Sequence, residues 1–117
     1  MTALDAIRWV DGKKHNVYSQ EDKLFWLSQV EAMAARLHGR CGLEQEIVEM
    51  EPEPETVLSI PAPFDALYLR WLEAQIDYAN QEYMKYNNAM ALFTALWQEY
   101  ANQVRRSSPA VGRRTFF

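Results

Sequence analysis

Residues 64–108 read FDALYLRWLEAQIDYANQEYMKYNNAMALFTALWQEYANQVRRSS, and these forty-five residues contain neither glycine nor proline. Apolar and aromatic side chains recur through the stretch about every 3.6 residues, which is the period of an α-helix. They are Tyr68, Leu72, Ile76, Ala79, Tyr83, Tyr86, Met90, Phe93, Trp97, Tyr100 and Val104. The pattern predicts one long helix, roughly 60 Å in length at about 1.5 Å per residue.

The predicted long helix has one weak region. Asp77, Asn80, Asn87 and Asn88 have low helix propensity, so a kink or a hairpin near 79–88 is the alternative. A hairpin normally contains a glycine or proline at its turn, and neither is present, so the sequence favours a single rod with a bend. Because a chain of 117 residues cannot bury a rod of that length, we expect assembly with copies of itself or with a partner.

Two shorter helices are predicted ahead of the rod. Thr2 followed by Asp5 resembles a capping box and indicates a first helix. Residues 11–14 are expected to stop it, with Gly12 suited to the left-handed C-cap geometry. Ser19 is suited to cap a second helix that continues to about His38. The sequence therefore predicts an all-α fold with two shorter N-terminal helices and one long, possibly kinked C-terminal helix.

An irregular loop rich in glutamate and proline is expected over residues 39–63, since closely spaced prolines cannot sustain a helix. Within it, residues 57–60 could add a short strand or lie extended against a neighbour. The predicted organisation is a helical domain over residues 1–106, which includes this loop, followed by an extended C-terminal arm over residues 107–117.

Charge and composition narrow the class of protein. The net charge of −4 argues against a general affinity for nucleic acid, because such binders usually carry a basic excess. Cys41 is the single cysteine, so no disulfide within the chain is possible and a reducing compartment is expected. The N-terminus lacks the apolar segment of a signal peptide, and no run approaches the roughly 18–20 apolar residues that cross a bilayer. We expect a soluble protein.

The sequence offers few candidates for chemistry. His38 and Cys41 have the spacing of two metal ligands, but zinc needs three or four, so unliganded surface residues are expected. Glu73 and Asp77 are carboxylates four residues apart on the predicted rod, where a solvated face is expected. No phosphate-binding loop or nucleophile motif is present. We therefore predict no catalytic, cofactor-binding or metal-binding residue, and a protein that is not an enzyme.

Three parts of the chain together resemble a family of phage proteins. They are ALDAIRWVDGKKHNVYSQEDKLFWLSQVEAMAARL, PAPFDALYLRWLEAQIDYANQEYMKYNNAMALFTALWQEYANQVRR and the basic C-terminal end. The family is that of the small head–tail connector, or adaptor, proteins of tailed phages and prophages of Gram-positive bacteria. The resemblance covers most of the chain, leaves the loop 39–56 as the variable part and is most specific over residues 61–88. The C-terminal end departs from the family where Val104-Arg105-Arg106-Ser107 replaces an Asn-Arg-Thr-like run.

The resemblance implies a helical subunit of a homo-oligomeric ring beneath the portal protein. The ring matches the portal's rotational symmetry, which is expected to be twelve-fold. Such a ring extends the channel through which viral double-stranded DNA passes without sequence recognition, and it docks a stopper or tail-completion protein. Neither a cofactor nor a membrane is implied. The expected location is the neck of the virion, after assembly in the host cytoplasm.

Surplus apolar surface and the basic, aromatic-tipped arm suggest which residues make these contacts. Subunit contacts are expected from Trp71, Tyr78, Leu92, Leu96 and Trp97. Contacts with the portal are expected from the arm residues Arg105, Arg106, Arg113, Arg114, Phe116 and Phe117. The alternative is a small helical DNA-binding or regulatory protein, although the predicted connector 11–18 is longer than the usual three- or four-residue turn of a helix-turn-helix.

Overall fold

The computed structural model describes residues 1–42 and 53–107, and these residues form an all-α fold as predicted. Its helices are α1 (Ala3–Lys13), α2 (Gln20–Arg40), α3 (Ala66–Ala79) and α4 (Tyr83–Ser107). Helix α3 packs against the other three, and α4 packs chiefly against α3. No described helix is long and apolar enough to cross a membrane.

The predicted caps of the first two helices are confirmed, and α1 ends within the predicted stop at residues 11–14, but Gly12 is not its left-handed cap. The Thr2 hydroxyl accepts from the backbone N–H of Asp5, and the Asp5 carboxylate accepts from the N–H of Thr2, both at 3.1 Å. The Ser19 hydroxyl accepts from the N–H of Asp22 at 3.1 Å. Helix α1 runs through Gly12 to Lys13 because one glycine costs a helix only about 1 kcal/mol.

The favoured single rod over residues 64–108 is wrong, although a long C-terminal helix is confirmed as α4. A turn at residues 80–82 separates α3 from α4. It needs no glycine, because Gln81 itself adopts a left-handed backbone conformation with φ 61°. Its N–H donates to the Tyr78 carbonyl at 3.0 Å, and that of Glu82 donates to the Asp77 carbonyl at 2.8 Å.

Helices α3 and α4 form an antiparallel hairpin. Tyr78 contacts Tyr86 near the turn, with 5.1 Å between ring centroids. Phe64, just before α3, contacts Tyr100 near the far end of α4 at 5.2 Å. Away from the turn, the two halves of the apolar stripe therefore pack against each other. Most of the stripe is buried within one copy, contrary to the expectation that one copy cannot bury it.

The core lies between the hairpin and the first two helices. Apolar residues from all four helices and from the 53–65 segment are buried in it. The largest fully buried side chains are Tyr68, Leu27, Ile60, Leu67, Leu72, Ile76, Val10 and Val30. Burying a side chain of this size contributes about 1.5–3 kcal/mol, so this shared core holds the helices together.

The end of the predicted loop lies extended against the N-terminus. Thr2 and Val57 form an isolated antiparallel β-bridge. The N–H of Ala3 donates to the Thr56 carbonyl and that of Leu58 donates to the Met1 carbonyl, both at 2.9 Å. The partner of this extended segment is therefore the same chain. The Glu-rich part of the loop, residues 43–52, lies outside the described residues.

Candidate functional site

Three of the five residues predicted to make subunit contacts lie along the side of the hairpin. Trp71, Leu96 and Trp97 are half-buried and pack against the core. The Trp71 ring lies 5.0 Å from that of Phe93, and the Trp71 indole N–H donates to the Gln29 side-chain oxygen at 3.1 Å. These three side chains pack within the subunit and are only partly exposed to solvent.

Tyr78 lies at the turn of the hairpin, where it belongs to a cluster that we call the tip patch: the exposed Tyr78, Tyr83 and Met84 and the half-buried Tyr86. Tyr78 is 56% exposed and Met84 is 83% exposed. The sequence could not reveal this patch, because a continuous rod would have spread these residues along about two turns of one helix.

Leu92, the fifth predicted contact residue, is 55% exposed on the outer face of α4, the face turned away from α3. It lies about two helical turns from Met84 in the tip patch. The predicted residues therefore do not form one continuous surface. Tyr78 and Leu92 are exposed enough to contact a partner. Trp71, Leu96 and Trp97 are only partly exposed.

The start of the predicted arm is part of α4. Arg105 and Arg106 are exposed in the last turn of the helix, where positive charge interacts favourably with the helix dipole. The Arg105 guanidinium also donates to the Asn102 side chain at 3.4 Å. The other arm residues predicted to contact the portal, Arg113, Arg114, Phe116 and Phe117, lie outside the described residues.

The expectation that His38 and Cys41 are surface residues is wrong, since both are buried. His38 Nε2 lies 2.5 Å from the Tyr100 hydroxyl, so the pair joins the end of α2 to α4. Burial, and secondarily the charge of Glu31, raises the pKa of the Tyr100 hydroxyl. The sequence did contain a signal: His38 and Cys41 continue the buried stripe of Ala34 at helical spacing.

The expected solvated face at Glu73 and Asp77 is also wrong. Asp77 is 2% exposed, and its carboxylate accepts from the Lys14 amine at 2.9 Å. Glu73 is half-buried and pairs with Arg70 at 2.8 Å. The Tyr18 hydroxyl donates to Asn80 at 2.7 Å, so the connector between α1 and α2 is held to the hairpin turn.

A second ion pair stabilises the connector from the other side. The buried Lys23 amine donates to the Asp11 carboxylate at 2.7 Å. Partial burial acts to raise the pKa of Asp11, but the hydrogen bonds from Lys23 and Asn16 outweigh it and hold this pKa below its usual value.

Glu31 organises the other end of the core. Its carboxylate accepts from the Ser59 N–H at 3.1 Å, from the Ser59 hydroxyl at 2.9 Å and from the Tyr68 hydroxyl. The Tyr68 oxygen in turn accepts from the Ile60 N–H at 2.9 Å. Burial first, and the adjacent Glu31 charge second, raises the pKa of Tyr68 strongly. This cluster fixes the extended 53–60 segment on α2 and α3.

Within residues 1–42 and 53–107, no three His, Cys, Asp or Glu side chains are grouped as metal ligands would be. The conspicuous features of the described surface are the tip patch and the outer face of α4. Comparison of the chain with protein-family models, curated proteins and solved structures found no match.

Proposed function

We propose that the chain is a structural head–tail connector of a tailed phage, without enzymatic activity. In this proposal, copies form a ring under the portal protein, extend the DNA channel and dock a stopper or tail-completion protein. The ring matches the portal's symmetry, and the protein resides in the neck of the virion after assembly in the host cytoplasm.

The observation that carries the proposal is the resemblance of residues 61–88 to the connector family. In the fold, this part of the sequence forms α3, the hairpin turn and the start of α4. A rod too long to bury does not support the proposal, because most of the apolar stripe is buried within the subunit. It is supported instead by apolar side chains that the hairpin leaves exposed, among them Tyr78, Met84 and Leu92.

The proposed contacts divide between two ends of the hairpin. The tip patch lies at the turn, and Arg105 and Arg106 lie at the opposite end of α4. Those 25 residues of α4 span about 37 Å. A subunit built this way can use residues 105–117 on the portal and Tyr78 and Leu92 on neighbouring subunits, with the edges of Trp71, Leu96 and Trp97 completing the contact.

No described element favours the DNA-binding alternative. A helix-turn-helix joins its helices through a turn of three or four residues, whereas residues 14–19 here form a longer connector held to the hairpin by Lys14 and Tyr18. A gel shift on double-stranded DNA at low salt that disappears at high salt would favour this alternative over a connector.

The test is co-sedimentation with assemblies of the portal protein from the same phage. Deleting residues 108–117 leaves all four described helices intact, and we expect it to reduce portal association at least about tenfold, as the loss of several charged and aromatic contacts would. The control R36A removes an exposed arginine on α2 and should bind like the full chain. Unchanged association of the truncated chain would reject the role of the arm.

A further inference from the structure

The outer face of α4 carries no charge through its middle. Between Lys85 and Glu99 there is no charged residue, and exposed positions on this side include Asn88, Leu92 and Ala95. A solvated helix face normally carries charges, whereas depletion of charge around an exposed apolar residue is typical of the centre of a protein interface.

Lys85 and Glu99 flank this uncharged face and lie at equal distances on either side of Leu92. Lys85, Leu92 and Glu99 follow one another at intervals of seven residues, so they lie on one stripe of the helix. All three are exposed. The Lys85 amine reaches the Glu82 carboxylate at 2.5 Å, yet its side chain remains 64% exposed. A two-fold axis through Leu92 would place Lys85 of each copy opposite Glu99 of the other.

We propose that free subunits pair with a second copy through antiparallel α4 helices, with Leu92 at the two-fold axis. Leu92 of each copy then packs against its equivalent, and Lys85 of each copy forms an ion pair with Glu99 of the other. Ala95 and the other small residues beside Leu92 let the helices approach closely. Charge complementarity identifies the occupant, because the same face supplies both the positive and the negative partner.

The pairing is expected to be weak because the interface is small. Residues 83–101 of the two helices overlap over about 28 Å, which gives an interface at the small end of the range for specific complexes. We expect a dissociation constant of about 100 µM.

This dimer is distinct from a ring contact. A two-fold contact uses the same surface on both copies and closes at two subunits, whereas a ring requires two different surfaces that meet head to tail. The inference concerns the free subunit and does not rest on the proposed function. If a ring also uses Leu92, dimerisation competes with assembly.

Sedimentation equilibrium up to about 1 mM protein tests the pairing, because a dissociation constant of about 100 µM is measured directly in that range. The variant K85E and the variant E99K each bring like charges together twice in the dimer, and each should weaken dimerisation at least about tenfold. The double variant K85E/E99K restores opposite charges and should return the dissociation constant to within about threefold of the parent value. R36E changes the net charge as K85E does, away from this face, and should leave dimerisation unchanged.

A second measurement is independent of charge. Under mild oxidation, L92C should form an intermolecular disulfide readily, because the two-fold axis brings the two sulfur atoms together. Q103C lies beyond the overlap and should not. Circular dichroism of each variant shows that the helices are intact. A chain that stays monomeric up to about 1 mM, a double variant no better than the single variants, or equal cross-linking of L92C and Q103C would each overturn the proposal.

Discussion

Glu31 is one carboxylate that joins α2 to both the 53–60 segment and α3 through Ser59 and Tyr68. Hydrogen bonds to a charged group contribute about 1.5–3 kcal/mol. In E31Q the side chain keeps its size but loses the charge, and an NH2 group that can only donate replaces one of its acceptor oxygens. We expect E31Q to lower the free energy of unfolding by about 2 kcal/mol, measured by urea denaturation with an unchanged m value.

Two controls isolate the effect of Glu31. S59A removes one of the hydrogen bonds and should cost about 1 kcal/mol. E55Q makes the same chemical change at an exposed position in the same extended segment and should be within about 0.5 kcal/mol of the parent. Equal stability of E31Q and E55Q would show that this cluster does not hold the segment in place.

The Lys14–Asp77 ion pair joins the connector to α3 with a carboxylate that is almost completely buried. Removing the lysine leaves that charge without its cation, which typically costs about 3–5 kcal/mol. We expect K14M to lower the free energy of unfolding by about 3 kcal/mol, because the methionine keeps the apolar stem and removes only the charge.

The double variant K14M/D77N should recover more than half of that loss, because no charge remains buried. Chemical unfolding of the parent, both single variants and the double variant forms a complete mutant cycle. Additive losses in the cycle would mean that the two side chains do not interact.

At the scale of elements, the sequence predicted the two N-terminal helices and the helical character of residues 64–108, but it favoured one rod over the observed division into α3 and α4. The apolar period continues without interruption across residues 80–82, so periodicity alone cannot distinguish a rod from a hairpin. A left-handed residue other than glycine costs about 1–2 kcal/mol. Packing side chains such as Tyr68, Leu72 and Phe93 against one another contributes several times more, so tertiary contacts decide the turn.

A substitution at Gln81 is expected to stabilise this turn. Glycine adopts its backbone conformation, φ 61°, without the steric cost of a Cβ. We expect Q81G to raise the free energy of unfolding by about 0.5–1 kcal/mol, measured by thermal and urea denaturation. Q98G makes the same substitution at an exposed position inside α4 and should lower it by about 1 kcal/mol. Destabilisation by Q81G would place the turn elsewhere.

Over the whole molecule, sequence patterns identified the apolar residues of the core but not the polar residues that are buried with them. Tyr68, Leu72 and Phe93 were predicted on the apolar stripe and are buried. Asp77 and His38 were assigned to the surface because burial of a polar side chain depends on a partner distant in sequence. Those partners, Lys14 and Tyr100, become neighbours only once the helices have packed. The exposed tip patch depends on the hairpin in the same way.

Hydrogen-bonded polar groups also set the range of pH over which the molecule is stable. The pKa of Asp11 is lowered by its hydrogen bonds with Lys23 and Asn16. A carboxylate with a lowered pKa contributes stability that is present above its unfolded value and is lost as the pH falls through its folded value. We therefore expect stability to decline below about pH 4, and the decline to be smaller in D11N, as measured by urea denaturation between about pH 5 and 2.5.

The alkaline limit is set by tyrosines whose pKa is raised, Tyr68 above all. Their hydroxyls stay protonated in the fold at a pH where the unfolded chain releases the proton. Their contribution is therefore fully present below about pH 10 and is lost as the pH rises further, by up to about 1.4 kcal/mol per pH unit for each tyrosine.

Y68F should be less stable than the parent at neutral pH because it loses two hydrogen bonds, yet its stability should fall less steeply above pH 10. Urea denaturation of Y68F and the parent between about pH 9 and 11.5 measures how steeply the stability of each falls with pH. The control is Y83F, which removes the hydroxyl of an exposed tyrosine. Identical slopes for Y68F and the parent would mean that Tyr68 ionises as easily in the fold as in the unfolded chain, and the buried cluster with Glu31 could not then exist as described.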